Sequence, residues 1–260
     1  MTGLEPPDDL GCSQAPARLP PDASPPARED ARALSAHVLP FAAWLLVMAL
    51  PVANAGAWNY VLRSVITLFL FLLLRPWNWY ERIRVGQLVW PVLVGAVVAL
   101  VWIGPETSWV DARLPSLKHA YLKLGVGFWP FGAQPVASVL ASPYAPHVCG
   151  WPLALVRLFG SAFVIAPVEE FFWRGFLYRW FQRPAFLSVE LGHFRASAFF
   201  VVVLLFAVEH DRWLVGIIAG LVYGWLAIRT RDIWSAVAAH VTTNLLLGLY
   251  VLATGAYQFW

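Results

Sequence analysis

Residues 151–182 read WPLALVRLFGSAFVIAPVEEFFWRGFLYRWFQ. The first half, 151–168, is apolar apart from Arg157, and the second half sets Glu169, Glu170 and Arg174 among aromatic residues. Apolar stretches of about 17–25 residues cross a hydrocarbon core of about 30 Å as helices. Pro167 is the one internal break, so 151–182 reads as a single helix that would run about 48 Å, longer than a span requires.

The composition supports a lipid solvent. Of the 260 residues 60% are hydrophobic and 13% charged, with mean hydropathy +0.64, whereas soluble domains carry about 25% charged residues. Tryptophans such as Trp90, Trp109, Trp151, Trp180 and Trp234 fall near the ends of apolar runs, where indole rings favour the interface. The fold class is therefore all-α, a polytopic transmembrane helical bundle of about seven spans, with six to eight as the range. The spans are read at 37–55, 58–74, 86–104, 151–168 (continuing to about 182), 195–210, 213–229 and 232–253.

Four regions follow. Residues 1–35, rich in Pro, Ala and Asp, read as a disordered tail without a cleavable signal peptide, so that the apolar segment from Val38 acts as an anchor. Residues 36–104 hold three transmembrane helices. Residues 105–150 form a loop with an interfacial helix and a weaker buried candidate at 126–141. Residues 151–253 form the carboxyl core.

Arg75, Arg82 and Arg84 mark one loop, Arg179, Arg183 and Arg195 a second, and Arg229 and Arg231 a third. All three fall on one side if seven spans alternate, which places the amino terminus in the cytoplasm and the carboxyl terminus outside. Arg113, Lys118 and Lys123 on the other side run against this count. Arginines flanking spans also account for the net charge of +3, so there is no separate signal for nucleic acid. Cys12 and Cys149 stand in no metal or redox spacing and imply no disulfide framework.

A charge at the centre of a membrane helix costs about 2.5–3.5 kcal/mol on insertion scales and seeks a partner or a wet cavity. Glu170 and Arg174, four residues apart, form an ordinary helical ion pair and could mark a helix boundary. That account does not extend to His210, which closes FFVVVLLFAVEH, or to His240 and Asn244, which share a face inside SAVAAHVTTNLLLGLYVL. One polar cavity shared by Glu169, Glu170, Arg174, His210, His240 and Asn244 satisfies them together. Its chemistry suits peptide hydrolysis: a carboxylate and an imidazole activate water, while a second imidazole and an amide N–H stabilise the oxyanion. No G-x-S-x-G or H-E-x-x-H motif supplies an alternative.

E-E-F-F-W-R (169–174), F-A-V-E-H (206–210) and H-V-T-T-N (240–244) resemble, in order and helical context, the E-E-x-x-x-R, F-x-x-x-H and H-x-x-x-N/D motifs of the CPBP family of CAAX protease and bacteriocin-processing membrane proteins. The resemblance covers about 150–253 and extends to the CAAX-protease-related branch of bacteria with exosortase-type sorting. It implies an integral protein of the bacterial inner membrane. It also implies that Glu169 and His210 activate water, that His240 and Asn244 form the oxyanion site, and that Glu170 and Arg174 support them. A divalent metal such as zinc is left open, with Glu169, His210 and His240 as the candidate ligands.

The expected function is an intramembrane endopeptidase of metallo or glutamate type, acting on a membrane-associated protein or peptide within the lipid bilayer. A non-catalytic scaffold or immunity-type protein is the alternative, and a transporter with a buried relay is third. Strict alternation puts Glu169 and His210 at opposite depths, so a shared cavity requires a long helix at 151–182 or a short one at 195–210. Gly216, Gly220 and Gly224 read as a packing seam. Arg63 and Arg157 read as snorkelling or ion-paired residues, and Glu209 as a reserve catalytic carboxylate.

Overall fold

The computed structural model describes residues 26–50, 56–126 and 142–260, and among them all regular structure is helical, with no strand. Seven helices form the bundle: α1 (Pro26–Met48), α2 (Gly56–Leu74), α3 (Val89–Ile103), α4 (Trp151–Trp180), α5 (Ala196–Val208), α6 (Trp213–Thr230) and α7 (Ile233–Thr254). Six of them are long and apolar enough to cross a membrane, and α5, at 13 residues, is shorter.

α1 begins at Pro26, inside the segment read as a tail; residues 1–25 lie outside the described residues. Charged residues hide the first turns of this helix. Its buried face is carried by Ala33, Ala36, His37, Phe41 and Trp44 at helical spacing, while Glu29 in the first turn suits the positive end of the helix dipole. The candidate at 126–141 also lies, apart from Val126, outside the described residues. Before it come two short helices, Ser108–Arg113 and Pro115–Tyr121, the first capped by the Thr107 hydroxyl, which accepts from Val110 N at 3.4 Å.

α4 is the axis of the site. It runs 30 residues and contains two widened turns of π type, at Gly160–Ile165 and Phe171–Leu177. Such turns leave backbone carbonyls free for other donors and recur at functional sites. The helix continues past Pro167, and at its end the buried Arg179 guanidinium donates to the carbonyls of Gly175, Leu187 and Val189 and so binds the following loop.

Close backbone contacts fix α7 and α6. Gly95 of α3 faces the backbone of Ala239 on α7 so tightly that a Cβ there would run into the Ala239 carbonyl. Thr243, one turn on, donates to the Gly95 carbonyl or its own Ala239 carbonyl, at 2.8 and 3.0 Å, and accepts from the Tyr223 hydroxyl at 2.7 Å. On α6, Gly216, Gly220 and Gly224 face Ala207, Phe206 and Phe199 of α5, which makes the glycine repeat a packing seam.

The polar ends are segregated. Arg82, Arg84, Arg179 and Arg231, together with Glu190 and Asp232, line one depression of about 520 Å³, so the three arginine-bearing loops share one end of the bundle.

Candidate active site

Glu169 and Glu170 lie beyond the middle of α4, 7% and 0% exposed. Glu170 Oε1 accepts from Arg174 Nη1 at 2.9 Å, one helical turn along, and meets His240 Nδ1 of α7 at 2.8 Å. Arg174, itself 3% exposed, also donates to the Gly220 carbonyl on the seam at 3.2 Å and stacks 4.5 Å over the Phe206 ring. The Oε1 atom that accepts from Arg174 accepts from His240 as well, so Nδ1 is the ring nitrogen that donates. The other ring nitrogen, Nε2, then faces Glu169, whose Oε2 is 3.7 Å away. The Tyr223 ring stacks on the imidazole at 4.8 Å and holds its plane.

His210 follows α5 in the turn to α6. Its Nδ1 lies 2.8 Å from the Phe206 carbonyl, an acceptor, so this imidazole too keeps a free Nε2 in the neutral state. Phe206 at 4.6 Å and Trp102 at 5.5 Å pack against the ring. Asn244, one turn beyond His240, donates one amide hydrogen to the Ser161 carbonyl at 2.9 Å, in the first π-type turn of α4. Its second N–H remains for another acceptor.

Glu169, His210, His240 and Asn244 line one cavity of about 360 Å³, and Glu170 and Arg174 sit behind it. Both geometric conditions for a shared cavity are met: α4 is long, and α5 ends at Val208 and leaves His210 in a turn. Glu209 lines the same cavity, as do Trp102, Tyr223 and Arg212. Sequence reasoning passed over these last three. Arg212 carried a signal, a lone cation beside an apolar run; in the structure it pairs with Glu106 at 2.5 and 3.0 Å. Tyr223 and Trp102 carried none, because aromatic residues inside apolar helices look like core.

Glu169 and the two Nε2 atoms match zinc chemistry in kind, since both imidazoles have Nδ1 turned to an acceptor, as metal-bound histidines do. Among the described residues, no three His, Cys, Asp or Glu side chains converge as a metal centre. Thr242 and Thr243 spend their hydroxyls on backbone carbonyls and offer no nucleophile.

No curated protein and no solved structure matches the chain. Residues 151–246, the segment from the start of α4 to just past Asn244, match the family model described as type II CAAX prenyl endopeptidase Rce1-like, and this part of the chain is similar to that CAAX protease family.

Proposed function

We propose that the protein is an intramembrane endopeptidase that hydrolyses a peptide bond of a membrane-associated protein or peptide, with Glu169 as the base that activates water. The observation that carries this reading is the facing of Glu169 Oε2 and His240 Nε2 at 3.7 Å in a cavity that also holds Asn244. The family match over 151–246 supports it.

The steps use the chain's own groups. Water placed between Glu169 and the scissile carbonyl loses a proton to Glu169 as its oxygen bonds to the carbonyl carbon. The oxyanion forms beside Asn244, whose second N–H is unspent. The proton passes from Glu169, directly or through His240 Nε2, to the leaving nitrogen as the C–N bond breaks, and yields a carboxylic acid and an amine. His240 donates to the oxyanion only in the interval when it holds that second proton, because Glu170 retains Nδ1–H. His210 Nε2 accepts from the incoming water and aims it. Were Glu169, His210 and His240 instead to hold a divalent ion, that ion would take over from Glu169 the task of making the water more acidic.

The cavity is lined by Met48 at the end of α1, Trp102 near the end of α3, Asp211 before α6 and Trp260 after α7, so it opens at the end of the bundle opposite the arginine-rich loops. With those loops inside, the substrate reaches it from the outer face of a bacterial inner membrane.

The test compares membrane proteins from wild-type cells with those from cells carrying Glu169→Ala. A protein whose terminus is trimmed only in wild type is expected; identical termini across the membrane proteome would count against an endopeptidase.

A further inference from the structure

The turn from α5 to α6 carries His210 outside any helix, so helical hydrogen bonds do not fix its place. The backbone gives one tie, from His210 N to the Ala207 carbonyl at 3.1 Å, and the ring gives another, from Nδ1 to the Phe206 carbonyl. Both run back to α5. They set the ring against its own helix but not against α4 and α7, which carry Glu169, His240 and Asn244.

The missing constraint comes from the end of α3. Trp102, in the last turn of α3, packs on the His210 ring at 5.5 Å. Glu106, four residues on in the turn Gly104–Glu106, accepts from Arg212 through both oxygens, Oε1 from Nε at 2.5 Å and Oε2 from Nη2 at 3.0 Å. One short segment thus grips the α5–α6 turn on both sides of Asp211. Both side chains of the ion pair are buried, and the Phe259 ring covers the guanidinium at 4.4 Å. A two-point bond between arginine and carboxylate fixes orientation as well as distance. α3 is in turn locked to α7 where Gly95 meets the backbone of Ala239, the neighbour of His240. The same stretch of chain therefore sets both imidazoles, His240 through Gly95 and His210 through Trp102 and Glu106. All three of these residues lie outside 151–246, the part similar to the CAAX protease family.

We infer that Glu106 is a positioning residue: through Arg212 it holds His210 Nε2 toward the water that Glu169 activates. The identity of that water rests on the hydrolase reading above; the hold of Glu106 on His210 rests on the geometry alone. A pair that only holds the fold together is the alternative, and a second anchor separates the two. Trp213, the residue after Arg212, donates its indole N–H to the Leu124 carbonyl at 2.8 Å. The start of α6 therefore stays tied when the ion pair is lost, and the effect is confined to the turn that carries His210.

The test uses the full chain in nanodiscs with Glu106→Gln, which keeps the size of the side chain and removes its charge. Diethyl pyrocarbonate, which acylates neutral imidazoles, is followed residue by residue by mass spectrometry. His210 is expected to react severalfold faster in the variant than in wild type. His37, buried beside Tyr80 at the other end of the bundle, and the exposed His147 and His193 are expected to keep their wild-type rates. Turnover of a peptide cleaved by wild type falls about 10–100-fold with KM unchanged, the loss that follows when a group is misplaced rather than removed. An unchanged rate at His210 overturns the inference, and so does a matching rise at His37, the mark of a loosened fold. If Glu106→Gln does not accumulate, the double variant Glu106→Gln/Arg212→Gln, which leaves no charge unpaired, is measured in its place; absence of both from membranes makes the pair a fold-holder and overturns the inference too. Acylation needs no turnover: a faster His210 with no peptide cleaved even by wild type sinks the hydrolase reading and leaves the hold on His210 standing, whereas a faster His210 with turnover at the wild-type rate overturns the positioning role and leaves the hydrolase reading standing.

Discussion

Glu170 and His240, 70 residues apart in the chain, meet at 2.8 Å through Oε1 and Nδ1, on the same oxygen that Arg174 holds at 2.9 Å. Arg174 therefore holds Glu170 in place, Glu170 accepts from Nδ1 of His240, and that bond presents Nε2 to Glu169. Three side chains on two helices act as one unit.

Breaking this unit is costly. Arg174→Ala leaves Glu170 buried without its countercharge, a loss of about 3–5 kcal/mol, and the protein level in membranes is expected to fall along with any activity. Arg174→Lys keeps the charge but lacks the planar fork that reaches both Glu170 and Gly220, so it recovers abundance in part. Immunoblots of washed membranes check both. Wild-type abundance of Arg174→Ala would contradict a buried pair.

Gly95→Ala tests how His240 is placed without touching it. The new methyl would run into the Ala239 carbonyl and drive α3 from α7, the helix that carries His240. Thermal stability in detergent and turnover are both expected to drop, whereas Gly86→Ala, which meets nothing, stays within about 0.5 kcal/mol of wild type. Equal melting of the two variants would mean that the α3–α7 contact does not set the site.

Sidedness follows from the separation of the arginine-lined depression and the cavity. In a chain with Cys12 and Cys149 replaced by serine, Asp211→Cys is expected to react with an impermeant maleimide on intact cells, and Arg82→Cys only after lysis. The reverse pattern would put the cavity on the cytoplasmic face.

Metal removal separates proton transfer from ligation at Glu169. With Glu169 as the base, dialysis against a chelator leaves turnover intact. Loss of turnover restored by zinc alone would make Glu169, His210 and His240 ligands.

The spans were legible because long apolar runs have one stable form in lipid, the helix, which satisfies its own backbone. α1 begins earlier than the apolar run indicates, since Glu29, Asp30 and Arg32 lower the hydropathy of its first turns, whose buried residues are the small Ala33 and Ala36. The polar residues at 169–174, 210 and 240–244 stood out because charge and amide groups are expensive in hydrocarbon. Their pairing did not, because the bond from Asn244 to the Ser161 carbonyl depends on a π-type turn that no residue pattern announces. Arg63 and Arg157 stood out as cations inside spans, but a sequence does not reveal that both lie against the ring of Tyr60.

Glu169→Gln tests the central claim most directly. It keeps the size and hydrogen bonding of the side chain and removes the base. Turnover of a peptide cleaved by wild type, measured in nanodiscs with equal amounts of folded protein, is expected to fall about 10²–10⁴-fold while peptide binding is retained. A Glu169→Gln protein that cleaves at the wild-type rate would contradict the account.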